Sequence, residues 1–142
     1  MYLWDANILR HFAEGNPTLR AHLERIEWRQ IALPSVVVAE VLRGRCEFAL
    51  KATPSQAPQA HQRLLDTVAM LQTFDIVSFD DESARVVLKI QKNVSSRKRY
   101  ADVMIAATAI ASGKTLVTRN QKHFVDLLPP NQIVNWIDDK PR

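Results

Sequence analysis

Asp5, Glu40 and Asp102 stand far apart in the chain, and each sits in or beside an apolar run. Asp5 follows Met1-Tyr2-Leu3-Trp4, Glu40 interrupts the run from Val36 to Leu42, and Asp102 opens the stretch Val103 to Ala111. A carboxylate is costly to desolvate, so an acid carried in an apolar segment calls for a partner, and a divalent cation is one. His11, His22 and His61 have no ligand spacing among them and read as surface or packing residues. An all-oxygen donor set suits a hard ion such as Mg²⁺ or Mn²⁺. The chemistry that needs such a cluster is phosphodiester hydrolysis. There the ion polarises phosphoryl oxygens, lowers the pKa of an attacking water and neutralises charge on the departing oxygen.

Three acids so scattered can meet only if the fold gathers them. Strand-like and helix-like patterns alternate along the chain. Tyr2-Leu3-Trp4 predicts a strand, and a helix follows from Asp5 to about Ala13, closed by Gly15-Asn16-Pro17. A second helix is expected from Pro17, a good first-turn residue, to about Trp28. Ile31-Ala32-Leu33 reads as a strand, and Ser35 as the cap of a helix reaching about Ala52. The Thr53 to Pro58 stretch forces a turn, and Leu64, Leu65, Val68, Ala69 and Leu71 then recur at helical spacing over residues 59 to 73. Ile76 to Phe79 is a third strand, with Ser78 and Asp81 resembling a capping box for a helix towards Val94. Residues 102 to 112 are apolar on nearly every face, so that helix should be buried, with Gly113 ending it. Thr115 to Thr118 and Ile133 to Trp136 complete five strands. Strands separated by helices imply parallel pairing and a three-layer α/β/α sheet. Ligands of such sheets bind beyond the carboxyl ends of the strands. Asp5 and Asn120 should both reach that edge.

Bulk properties narrow the function classes. At 142 residues, with no internal repeat or linker, residues 1–142 are expected to form one domain. No apolar run approaches the ~20 residues that span a bilayer, and no secretory signal pattern opens the chain, so a cytoplasmic protein is expected. The lone Cys46 excludes an internal disulfide and fits a reducing compartment. A net charge of +4 favours a polyanionic partner, with nucleic acid the first candidate.

Four segments together resemble the PIN domain, and more narrowly the VapC-type toxin ribonucleases of toxin–antitoxin pairs. They are Leu3-Trp4-Asp5-Ala6-Asn7-Ile8-Leu9, Ser35-Val36-Val37-Val38-Ala39-Glu40-Val41, Asp102-Val103-Met104-Ile105-Ala106-Ala107-Thr108-Ala109 and Leu116-Val117-Thr118-Arg119-Asn120. The likeness covers nearly the whole chain. It implies a PIN-like fold with a short parallel central sheet, and an endoribonuclease using Mg²⁺ or Mn²⁺. Asp5, Glu40 and Asp102 would be the metal-binding catalytic acids, with Asn7 and Thr118 orienting water or a carboxylate behind them. Asn120 stands where many relatives carry Asp; its amide oxygen can still ligate, but one negative charge is missing, which favours one metal over a pair. His123 stands where a nearby Asp is common, and could contact substrate or stabilise the turn. The resemblance further implies an RNA substrate, a cognate antitoxin covering the site, and a homodimer. Leu42, Phe48, Leu64 and Leu65 could form a dimer or antitoxin groove, or ordinary core.

Simpler roles exist for the same residues. Asp5 and Asp102 could each cap a helix, and Glu40 could pair with Arg43 on a solvated face. Arg97, Lys98 and Arg99 beside Asp102, with Arg119 and Lys122 on the opposite rim, could hold substrate phosphate or form solvated loops. A catalytically weakened PIN-fold module that binds nucleic acid or protein is the alternative function. A phosphatase with an aspartate nucleophile fits poorly, because Asp5-Ala6-Asn7 lacks the second aspartate expected as general acid.

Overall fold

The computed structural model describes residues 1–94 and 99–142. Five strands, β1 (Tyr2–Trp4), β2 (Ile31–Pro34), β3 (Asp75–Val77), β4 (Thr115–Val117) and β5 (Ile133–Val134), form one sheet in the order β3-β2-β1-β4-β5. Every pairing is parallel. Six helices flank the sheet: α1 (Ala6–Ala13), α2 (Pro17–Leu23), α3 (Ser35–Lys51), α4 (Ala57–Leu71), α5 (Asp81–Gln91) and α6 (Tyr100–Ser112). Central strands of such sheets are covered on both faces, which explains why Leu3, Trp4, Leu33, Leu116 and Val117 are fully buried with no polar alternation.

The chain leaves β1 towards β2 and β3 on one side and places β4 and β5 on the other. The direction of winding therefore reverses between β1 and β4, and a crevice opens there beyond their carboxyl ends. Asp5 follows β1 and Thr118 follows β4, so both lie at that crevice. The Asp5 N–H donates to the Val117 carbonyl at 3.0 Å, extending the β1–β4 pairing up to the acid itself.

Several local expectations are corrected by tertiary contacts. The second helix stops at Leu23, not Trp28, because Arg25 and Ile26 bond back three residues rather than four. Trp28 belongs to a separate 3₁₀ turn. Its indole donates to the Thr73 carbonyl at 3.0 Å and packs with Trp4, Phe12 and Phe74. Ser35 does not cap α3: Pro34 holds that position, and the Ser35 hydroxyl accepts from the Phe79 N–H at 3.1 Å. The cap of α5 is Asp80, not Ser78, with Oδ1 accepting from the Ser83 N–H (2.9 Å) and hydroxyl (2.8 Å). Asp102 sits inside the first turn of α6 and caps nothing, since the helix begins at Tyr100. Gly113 ends α6 as expected, in the left-handed conformation (φ 68°) that glycine adopts freely. As its composition implies, α6 is the buried helix, with Val103 and Ile105 to Ala109 enclosed.

Because the Ser35 hydroxyl anchors the loop after β3, Ser35→Ala should cost about 1 kcal/mol. It should also speed amide exchange at Phe79 while leaving helix content unchanged. Exchange confined to the first turn of α3, with Phe79 still protected, would instead make Ser35 a cap.

Candidate active site

Asp5 is placed by backbone and side chains at once. Its Oδ1 accepts from the Ala6 N–H at 2.8 Å, which caps α1. Its Oδ2 accepts from the Thr118 hydroxyl at 2.8 Å and from the Asn7 amide at 3.0 Å. One carboxylate thus caps α1 and also ties the start of that helix to the end of β4. Asp5 is buried, and Thr118 wholly so. Burial pushes the Asp5 carboxyl above the ordinary range, opposed by those three hydrogen bonds and by nearby His123.

Asn7 and Thr118 form a small net around this acid. The Asn7 oxygen accepts from the Arg119 N–H at 3.1 Å, and the Thr118 hydroxyl accepts from the Asn120 N–H at 3.0 Å. The turn leaving β4 is thus tied to the turn leaving β1, and both residues bond directly to the Asp5 carboxylate.

Glu40 projects from α3 and Asp102 from α6 towards the same crevice. Each is half-buried with its carboxyl pushed up, first by burial and then by like charge. Glu40 feels both Asp5 and Asp102, and Asp102 feels Asp5. Arg43 only moderates Glu40, and no Glu40–Arg43 ion pair forms among the described residues. Among the described residues, the basic side chain nearest Asp102 within ion-pair distance is His123, whose Nδ1 lies 3.7 Å from Oδ2. The three acids thus share one edge and repel one another. As placed, no three His, Cys, Asp or Glu side chains among the described residues stand close enough together to hold a metal ion. The donor chemistry nonetheless fits a hard cation. Glu40 and Asp102 accept no hydrogen bond among the described residues, and the whole set is oxygen with excess negative charge.

Asn120 lies just past Thr118 with its side chain exposed, in the wall of a cavity beside Asp5. The basic residues are less free than their sequence positions suggest. Arg99 forks onto Asp126 at 2.8 and 2.9 Å and also donates to the His123 carbonyl. Arg119 forks onto Asp138, both bonds 3.2 Å. Lys122 is exposed and unpaired among the described residues. Arg97 and Lys98 lie outside the described residues.

Three charged residues at this edge were not anticipated. Arg10 lines the cavity beside Asn120; its spacing from Asn7, three residues along α1, was the available signal. Asp126 and Asp138 had no signal, because each is defined only by the arginine that the fold brings to it.

On this geometry the comparisons with known proteins bear directly. The chain resembles FitAcB from Neisseria gonorrhoeae at 24% identity and TM-score 0.75, over 98% of this chain and 100% of that one. It resembles a toxin–antitoxin complex from Klebsiella pneumoniae at 23% identity and TM-score 0.68, over 96% and 98%. VapBC2 from Rickettsia felis, bound to a promoter DNA fragment, matches at 26% identity and TM-score 0.66, over 95% and 98%. No curated protein sequence matches the chain. The profile of the PIN domain matches residues 2–127, the span that carries Asp5, Glu40, Asp102 and Asn120, and the chain belongs to the PIN domain family.

Proposed function

We propose that the chain is a divalent-cation-dependent endoribonuclease, the toxin of a toxin–antitoxin pair. The observation that carries this reading is the convergence of Asp5, Glu40 and Asp102 on the β1–β4 crevice, where Arg43 and Arg99 only moderate Glu40 and Asp102 and no lysine or arginine among the described residues forms an ion pair with any of the three. Asp5, Glu40 and Asp102 would hold Mg²⁺ or Mn²⁺, and the bound ion would polarise the phosphate and neutralise developing charge. The remaining tasks fall to the protein. Thr118 and Asn7 hold the Asp5 carboxylate in orientation and oppose the upward push of its burial. One of the Glu40 and Asp102 carboxylates would lie close enough to the ion to take a proton from the attacking water. The Asn120 amide orients water or phosphate at the rim. The exposed Lys122 would attract the RNA backbone, Arg99 and Arg119 would do so only in competition with Asp126 and Asp138, and the same role is proposed for Arg97 and Lys98 from their place in the sequence.

The partner assignment draws on the neighbours, one of which is described as a toxin–antitoxin complex. A cleft of about 790 Å³ between α1, α3 and α4 reaches Glu40, lined by Leu9, Val41 and Met70 with Arg45 and Arg63. It offers an antitoxin segment an apolar seat ending at the acids. Phe48, Leu50 and Leu65 are exposed on the same hairpin, with Leu64 half-buried, which favours a homodimer or antitoxin contact for that face, whereas Leu42 packs against the core. No helix of the described residues is long and apolar enough to cross a membrane, and the working place proposed is the cytoplasm. A non-catalytic PIN-fold binding module is the second reading, favoured by the neutral Asn120 at a rim where an acid would complete the site.

Purified protein with Mn²⁺ or Mg²⁺ should cut total RNA, transfer RNA included, into discrete fragments, and EDTA should stop it. Asp102→Asn should lower the rate by about 10²-fold or more with the fold retained, since Asp102 caps nothing. Intact RNA at high protein concentration would favour the binding module.

The same acids set a pH dependence. Raised carboxyl pKa values mean the folded chain keeps protons that the unfolded chain has already lost. Stability without metal should therefore fall as pH rises above the ordinary carboxylate range and through the folded values. Melting in EDTA should show that decline; Glu40→Gln and Asp102→Asn should flatten it, and Mg²⁺ should stabilise only the parent at neutral pH. An identical pH profile in parent and variants would mean the acids do not repel one another.

A further inference from the structure

The rim on the α1 side of Asp5 carries a second constellation. A cavity of about 540 Å³ is lined by Arg10 from α1, by Arg119, Asn120, Gln121 and Lys122 after β4, and by Asp138. Its remaining wall is Asn7, the residue that donates to Asp5 Oδ2 at 3.0 Å and accepts from the Arg119 N–H. The cavity is therefore one side chain away from the acid cluster. We propose that this cavity is a nucleotide subsite for single-stranded RNA beside the scissile phosphate, with Arg10 and Lys122 on its phosphate and Asn120 and Gln121 on its base. The inference rests on the nuclease reading and deepens it.

The charges here are unequal in availability. Arg119 is committed elsewhere: its Nε and Nη2 both lie 3.2 Å from the Asp138 carboxylate. Asp138 is itself held, accepting from the Asn135 amide at 2.9 Å and donating its own N–H to the Asn135 oxygen at 3.1 Å. Arg10 and Lys122 are exposed and in no ion pair among the described residues. They are the cations free to meet a phosphate. Side-chain amides supply paired donors and acceptors, the complement that reads an unstacked base edge. An acidic peptide would have little use for an exposed and a half-buried amide lining the same cavity as the cations. A strand threading the crevice must leave it past one rim, and this rim is contiguous with Asp5 through Asn7. Asp138 has a consequence of its own: by neutralising Arg119 it limits the rim to the two free cations and rejects carboxylates.

The test is binding of a short, labelled, mixed-sequence single-stranded RNA to the full chain in the non-cleaving Asp102→Asn background, followed across a salt series. Arg10→Ala and Lys122→Ala should each weaken binding about three- to tenfold and reduce the slope of log K against log salt by about 0.7, the counterion share of one single-strand phosphate contact. Arg119→Ala should change the slope much less. Asp138→Asn should release Arg119, tighten binding and steepen the slope. Lys51→Ala, at the far end of the 17-residue α3, is the control and should match the parent. Parent-like binding and slope in both Arg10→Ala and Lys122→Ala, while the parent binds and the unmutated enzyme cuts, would overturn the subsite and leave the nuclease intact. No RNA binding or cleavage by any form would overturn both. Equal losses in Lys51→Ala and Arg10→Ala would reduce the effect to net charge and also overturn it.

Discussion

The hydrogen bond from the Thr118 hydroxyl to Asp5 Oδ2 joins the ends of the two strands between which the sheet reverses its winding. Much else depends on it. A carboxylate buried to this degree is tolerated only if donors meet it, and they come from three places: the first amide of α1, the Asn7 side chain and Thr118. Thr118 in turn accepts from the Asn120 N–H, and Asn7 from the Arg119 N–H. The turn after β4 is thereby built around the acid. Loss of the Thr118 hydroxyl would free the Asp5 oxygen and the Asn120 amide together, so the crevice floor and its rim are a single construction.

Against this well-satisfied acid stand two that are poorly satisfied. Glu40 and Asp102 arrive on helices of different connections, α3 before β3 and α6 before β4, and find no hydrogen-bond donor at the crevice among the described residues. Burial and mutual repulsion push both carboxyls up. Local stability would favour an amide or an apolar side chain at either position. A fold that keeps acids there concentrates negative potential that His123, Arg43 and Arg99 only partly offset among the described residues, an arrangement that favours a bound cation.

Much of this was legible in the sequence because the signals are strong where the core is deepest. Apolar runs around Leu3, Leu33, Leu116 and the whole of α6 mark elements buried on both sides, and an acid inside such a run is conspicuous. Alternation of strand and helix gave the parallel sheet, and the rule for such sheets then located the edge. Strand order could not be read, since nothing local says that β1 pairs with both β2 and β4. Capping was misassigned where two residues of the right type stood near one another. Ser35 and Ser78 are both competent caps, yet one hydroxyl is taken by Phe79 and the other position is superseded by Asp80. The end of α2 was misplaced for a similar reason: Trp28 is drawn into an aromatic cluster with Phe74, a residue beyond two further helices.

The basic residues were hardest to interpret, and the reason is physical. A lysine or arginine written near an acid in sequence suggests a phosphate contact, but an exposed guanidinium takes whichever carboxylate the fold supplies. Arg99 meets Asp126 and Arg119 meets Asp138 in forked geometry, so both are already half-neutralised before any substrate arrives. Surface pairs of this kind contribute little to stability, on the order of 0–1 kcal/mol. Their effect lies instead in direction. They engage two arginines at the edge of the crevice and leave Arg10 and Lys122 as exposed cations in no ion pair among the described residues. A polyanion drawn to that rim would approach the acids from one side, a polarity that net charge alone could not give.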